Sequence, residues 1–310
     1  MKFACGAITA AMLLTGAVAG GNTTISGPAG QSLPALTTGA LADRYAADQR
    51  AITRAAREAA REGDRDGAAR LAALAAPGRH FLAFDVRGRG RAIEVVGDLA
   101  TAPRVAILVP GADTTLGTFD SRGPASPGGG SRALYARAQA VRPGGLAVIA
   151  WLGYDTPATM SLGVARTGHG RDGARALRPL VERIAARGAE VALLCHSYGT
   201  VVCGAAARGL PVTDLAVFGS PGMTVSSARS LRTPARVWAG LGDRDWMRYV
   251  PKGRFLGIGL GADPTRPGFG ARRFATGRGG HGDYLKPGGV ALRNLTLIAL
   301  GRPGEVTDDR

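Results

Sequence analysis

From residue 105 onward the chain repeats one rhythm. Short, almost unbroken apolar runs alternate with longer stretches in which apolar residues recur every three or four positions. The runs are 105–109, 146–151, 191–194, 215–218 and 237–239. Runs this short, with no polar alternation, suit strands covered on both faces. The stretches 131–141, 171–187 and 200–208 read as helices. Strands alternating with helices predict an α/β fold, a mostly parallel central sheet flanked by helices. Ahead of this block, the runs 80–86 and 92–96 are separated by Arg87-Gly88-Arg89-Gly90, which predicts a hairpin.

The first quarter of the chain has a different character. Met1-Lys2, an apolar stretch over 3–19 and Ala17-Val18-Ala19 have the layout of a secretory signal, with an uncleaved anchor as the alternative. Residues 20–35 read as a flexible leader. Residues 36–76 are rich in Ala, Arg and Glu, with Leu36, Leu41, Tyr45, Ile52, Leu71 and Leu74 near helical spacing. Gly63 and Gly67 divide them into two helices. The expected organisation is a signal peptide over 1–19, the leader, an N-terminal helical appendage over 36–76 and the α/β domain over 77–310. The Gly/Pro/Ser stretch 123–130 reads as a surface loop. The expected location is secreted or associated with the cell envelope.

Composition narrows the function. With 45% hydrophobic and 20% charged residues among 310, wholesale disorder is excluded. No apolar run after residue 20 reaches the ~20 residues of a membrane span. The net charge is +16, and Lys2, Lys252 and Lys286 are the only lysines. The arginines are scattered, with no aromatic interleaving, so no nucleic-acid partner is expected. The charge offers electrostatic association with an anionic envelope instead. Neither a phosphate-binding loop nor a metal-ligand spacing is present, and no cofactor is expected.

The sharpest motif is Cys195-His196-Ser197-Tyr198-Gly199, between the apolar run 191–194 and a helix. That context is a nucleophile elbow, a tight strand-to-helix turn that holds a serine hydroxyl clear of the sheet. Such a serine needs a base. Of the four histidines, only His281 follows Ser197, in the Ser–acid–His chain order of this arrangement. The acid is expected after the run 237–239, where Gly242-Asp243-Arg244-Asp245-Trp246-Met247 offers two carboxylates. Asp245 is preferred because Trp246-Met247 would seat it, and Asp243 is the alternative. The oxyanion hole would use the backbone N–H groups of Tyr198 and of Ala112, in the Pro110-Gly111-Ala112-Asp113 loop after 105–109. The loops at 153–157 and 257–272 are candidates for shaping the pocket. Cys195 and Cys203 read as two buried thiols, with a disulfide as the alternative.

With these motifs in place, the chain resembles the α/β-hydrolase superfamily, and within it an uncharacterised actinobacterial group. The resemblance lies in Val105-Ala-Ile-Leu-Val-Pro-Gly, Ala150-Trp-Leu-Gly-Tyr-Asp-Thr-Pro, Cys195-His-Ser-Tyr-Gly, Phe218-Gly-Ser-Pro-Gly, Gly261-Ala-Asp-Pro with Phe269-Gly-Ala-Arg, and His281-Gly-Asp-Tyr-Leu. Cys195 stands where that family usually has glycine. The resemblance implies a serine hydrolase that cleaves a small-molecule or lipid-like acyl ester. The enzymatic alternatives are a peptidase or an acyltransferase. The alternative of another class is a catalytically silent binding protein.

Overall fold

The computed structural model describes residues 33–159, 167–255 and 258–309, so the expected signal peptide lies outside the described residues. In chain order the elements are α1 (Thr38–Arg61), α2 (Arg65–Leu74), β1 (His80–Asp85), β2 (Arg91–Val96), β3 (Arg104–Val109), α3 (Pro127–Val141), β4 (Ala147–Leu152), α4 (Gly168–Ala186), β5 (Glu190–His196), α5 (Gly199–Ala206), β6 (Asp214–Phe218), β7 (Arg236–Gly240), β8 (Gly253–Phe255), β9 (Ile258–Gly261), β10 (Arg272–Arg273) and α6 (Val290–Ala299). Eight strands form one sheet in the order β1-β2-β4-β3-β5-β6-β7-β10. The hairpin β1–β2 pairs antiparallel and joins antiparallel to β4; every other pairing in the sheet is parallel.

Alternate residues of the central strands enter two separate cores, which explains their unbroken apolar runs. Val105, Ile107 and Val109 of β3 face α4 and α5, where Leu177, Val181, Val201 and Val202 are fully buried. Ala106 and Leu108 face α3 and α6, meeting Leu134, Leu295 and Ile298. The helical pair α1–α2 packs on the edge hairpin, with Ile52 and Leu74 against Phe81, Phe84 and Ala92. Complete burial of Ile52 contributes about 2 kcal/mol to that docking. The break between α1 and α2 falls at Glu62–Asp64. Gly67, expected to be a breaker, lies inside α2, where its N–H is capped by Asp64 Oδ1 at 2.8 Å.

Register sets the site. Val109 pairs with Cys195, Cys195 with Val217, and His196 with Phe218, which pairs with Gly240. The carboxyl ends of β3, β5, β6 and β7 therefore lie side by side, and their following loops open at one edge of the sheet, the usual ligand edge of such folds.

Three local expectations change. The stretch 123–130 is not a free surface loop, because Pro127–Gly130 form the first turn of α3. Proline at the first helical position suits that start. The described part of 257–272 contains β9, which pairs with β8 in a separate two-stranded sheet, and the start of β10, the last strand of the main sheet. Cys195 and Cys203 are joined in a disulfide, with Cα atoms 6.5 Å apart. The helix that follows the elbow runs back along the strand, so a cysteine eight residues on returns within bonding reach.

Candidate active site

Ser197 sits at the elbow between β5 and α5 with φ +52°, a left-handed backbone in a non-glycine residue. Two hydrogen bonds hold the turn. Ser197 N–H donates to Phe218 O at 3.0 Å, and Thr200 N–H donates to Ser197 O at 3.0 Å. Close backbone approach sets the neighbouring residues. A Cβ on Gly199 would lie 2.4 Å from Val109 O, and one on Gly111 would lie 2.5 Å from Ser197 Cβ. Neither position has space for a side chain.

His281 lies in the loop before α6, and its Nδ1 is 2.9 and 3.0 Å from the two carboxylate oxygens of Asp245. Asp245 is fully buried and accepts two further hydrogen bonds. Met247 N–H donates to Oδ1 at 2.8 Å, and Tyr284 O–H donates to Oδ2 at 2.5 Å. Gly242 N–H in turn donates to the Tyr284 oxygen at 3.0 Å. Burial by itself would raise the Asp245 carboxyl. The hydrogen bonds from His281 and Tyr284, the nearby imidazole charge and the Met247 N–H outweigh it and hold the group below its usual range. Asp243 faces solvent and pairs with Arg248 at 3.1 Å. Asp283 caps its own loop by accepting from Gly280 N–H at 2.8 Å.

Ser197, His281 and Ala112 line one cleft of about 410 Å³, together with Leu108, Pro127, Phe218 and Leu285. The backbone of the Pro110–Asp113 loop is braced from behind by the segment after β4. Tyr154 O–H donates to Pro110 O at 2.8 Å, and Asp113 N–H donates to Pro157 O at 3.0 Å. The Asp113 N–H is thereby occupied. The Ala112 N–H has no protein acceptor among the described residues. The 153–157 loop thus supports the cleft without lining it, while Thr159 reaches its wall. No described residue of the 257–272 segment lines this cleft.

Two contributors escape sequence reasoning. Tyr284 belongs to the quoted His281-Gly-Asp-Tyr-Leu motif, yet nothing in that spacing points its hydroxyl at a residue 39 positions away. The His196 ring stacks on Phe218 at 5.3 Å, tilts against His281 at 4.6 Å, and lines the cleft. Its Nε2 is 2.8 Å from the His281 carbonyl oxygen. A neutral ring suits this contact, with Nε2–H donating. Burial, and then the neighbouring His281, push the His196 pKa down to about 3.

That shift predicts a pH effect on stability. An unfolded histidine takes up a proton near pH 6.5, whereas the folded one resists until about pH 3. Between those values the unfolded state binds more protons. Acidification therefore destabilises the fold, by up to about 1.4 kcal/mol per pH unit. Asp48, buried in α1 with its carboxyl pushed up to about 6, acts in the opposite sense. The informative comparison is urea unfolding of the protein and of His196→Gln at pH 7 and pH 4.5. The variant is expected to lose less stability on acidification. Equal losses in both proteins contradict the neutral-ring assignment.

Among the described residues, no group of three or more His, Cys, Asp or Glu is placed to hold a metal ion, and no helix is long and apolar enough to cross a membrane.

Comparison with known proteins gives this geometry its relatives. An uncharacterised protein of Mycobacterium tuberculosis is 31% identical over 259 residues, covering 72% of this chain. The chain spans only 39% of that relative's length. An uncharacterised protein of Mycobacterium bovis is 31% identical over 170 residues, covering 51% of this chain and 63% of its own length. Among solved structures, a serine hydrolase without a lid from Xanthomonas campestris is 18% identical, with a TM-score of 0.43 over 73% of this chain and 95% of that one. A family profile described as alpha/beta hydrolase matches residues 85–254, which run from the end of β1, through the elbow and the acid loop, to β8. The mostly parallel sheet, the elbow at its edge and this match together place the chain in the α/β hydrolase family.

Proposed function

We propose that the protein is an exported serine hydrolase that cleaves a carboxylic ester through an acyl-enzyme. The observation that carries this reading is a serine on a left-handed elbow, sharing a cleft with an imidazole whose Nδ1 is held by a buried carboxylate. Ser197 Oγ attacks the ester carbonyl while His281 takes its proton at Nε2. Asp245 holds the ring in the tautomer that leaves Nε2 free and stabilises the cation that forms. The developing oxyanion is bound by the N–H groups of Tyr198 and Ala112, a type of donor worth about 3 kcal/mol each. The imidazolium then protonates the departing alcohol. Water, activated by the same ring, attacks the acyl-enzyme and regenerates Ser197. Leu108, Phe218 and Leu285 favour an apolar acyl group in the cleft. The Cys195–Cys203 bond favours the exported part of the reading, because disulfides persist in oxidising compartments.

The test is covalent labelling. A fluorophosphonate probe is expected to modify the folded protein once, on the peptide carrying Ser197, and to leave Ser197→Ala unlabelled. A folded protein that hydrolyses p-nitrophenyl butyrate and yet resists the probe contradicts the serine mechanism.

A further inference from the structure

A second cleft, of about 780 Å³, lies beyond the acid loop and shares no lining residue with the catalytic one. Its walls come from the segment after β6, from residues 248–253 and from the loop after β9. The last of these carries Gly261-Ala-Asp-Pro, a motif that the catalytic reading leaves without a task. Thr224 N–H donates to Leu260 O at 2.6 Å and Ala262 N–H to Val225 O at 3.0 Å, which tie two of the walls together.

Three cations, Arg248, Lys252 and Arg266, line the cleft. Arg248 is paired with Asp243, outside the lining, and the one carboxylate in the lining is that of Asp263. That carboxylate is already saturated. Its Oδ1 accepts from Thr265 N–H at 3.0 Å and from Thr265 O–H at 2.7 Å, and its Oδ2 pairs with Lys252 Nζ at 2.9 Å. The Lys252 side chain is only 8% exposed and Asp263 is its one ion-pair partner among the described residues. An ammonium carries three donors, so two remain for a ligand. Arg266 is exposed, and its guanidinium has no partner among the described residues. Its backbone N–H donates to Asp263 O at 3.2 Å, which roots it beside the lysine's partner.

We propose that this cleft is a second ligand site, for the phosphate group of an organic phosphate. Lys252 and Arg266 supply charge-assisted donors to its oxygens. A phosphate offers enough oxygens to engage both at once, with Thr224 and Ser226 also lining the cleft. The cleft is much larger than a phosphate group, so the ligand has a further body, and Tyr249, 84% exposed at the cleft, offers it a ring face. The phosphate has two natural sources, a soluble phosphomonoester or a phospholipid headgroup. Neither depends on the ester-hydrolase reading.

The experiment uses the whole protein. Glycerol 3-phosphate is titrated calorimetrically, and sedimentation with phosphatidylglycerol vesicles is compared with phosphatidylcholine vesicles. Arg266→Gln and Lys252→Met are measured alongside, with Ser197→Ala as a control. One-site binding of glycerol 3-phosphate is expected, weakened about tenfold or more by Arg266→Gln and by Lys252→Met, and unchanged in Ser197→Ala. The same losses seen only with phosphatidylglycerol vesicles identify a lipid headgroup as the source. Absence of saturable binding to both probes overturns the proposal, as does binding that survives Arg266→Gln. Because Arg266 is exposed and its guanidinium has no partner among the described residues, that variant decides the matter even if Lys252→Met does not fold.

Discussion

Ser197→Ala is expected to lose turnover of p-nitrophenyl butyrate by up to about 10⁶-fold, the scale seen when the nucleophile of a serine protease triad is deleted. Its stability should be unchanged, since alanine inherits the same left-handed backbone at φ +52°. Ser197→Gly should be equally inactive yet more stable by about 1 kcal/mol, because glycine adopts that backbone without a Cβ penalty. The contrast separates the strain held by the turn from the chemistry proposed for the hydroxyl. The measurements are kcat/KM on one substrate and urea unfolding at pH 7. An alanine variant within about tenfold of the parent, roughly 1.4 kcal/mol, removes Ser197 from the reaction.

The second large effect distinguishes two aspartates in one loop. Asp245→Asn is expected to lower kcat by about 10⁴, as loss of the orienting carboxylate does in a serine protease by leaving the imidazole in the wrong tautomer. The buried surroundings deepen the loss. The substituted amide would have to satisfy His281, Tyr284 and the Met247 N–H with one carbonyl oxygen and one NH₂ group in place of two carboxylate oxygens. Asp243→Asn touches only a pair whose partners are 40% and 60% exposed. Such pairs are worth about 0–1 kcal/mol, so kcat should fall by no more than a few-fold. Steady-state kinetics of both variants on the same substrate at fixed pH decides. Greater damage in Asp243→Asn reverses the assignment.

Both predictions rest on features that local patterning makes legible. Unbroken apolar runs, the helical stretches between them and a strand–Ser197–helix junction are properties of contiguous residues. Steric and burial rules act on them within a few positions. Chain order adds His281, because only one histidine follows the serine. The apolar pair after Asp245 distinguishes it from its neighbour Asp243. In the fold, Met247 is buried and its N–H bonds the Asp245 carboxylate.

What local rules cannot specify is which distant atoms meet, since that depends on strand register and on how loops cross the edge of the sheet. The Tyr284 hydroxyl reaches Asp245 because the loops after β7 and before α6 converge there. The His196 ring lies against His281 because β5 and β6 align His196 with Phe218, on which the ring stacks. Cys195 meets Cys203 because α5 folds back over its own strand. Lys252 and Asp263 form a single cleft because the β8–β9 hairpin brings together residues that no periodicity links. The layered α/β architecture and the order of the reactive residues are thus written in the chain itself, because both follow from short-range sterics and burial. The further partners around Asp245 and His281, the disulfide and the cationic cleft arise only on folding, because each is a contact between separate segments whose meeting is set by the register of the sheet.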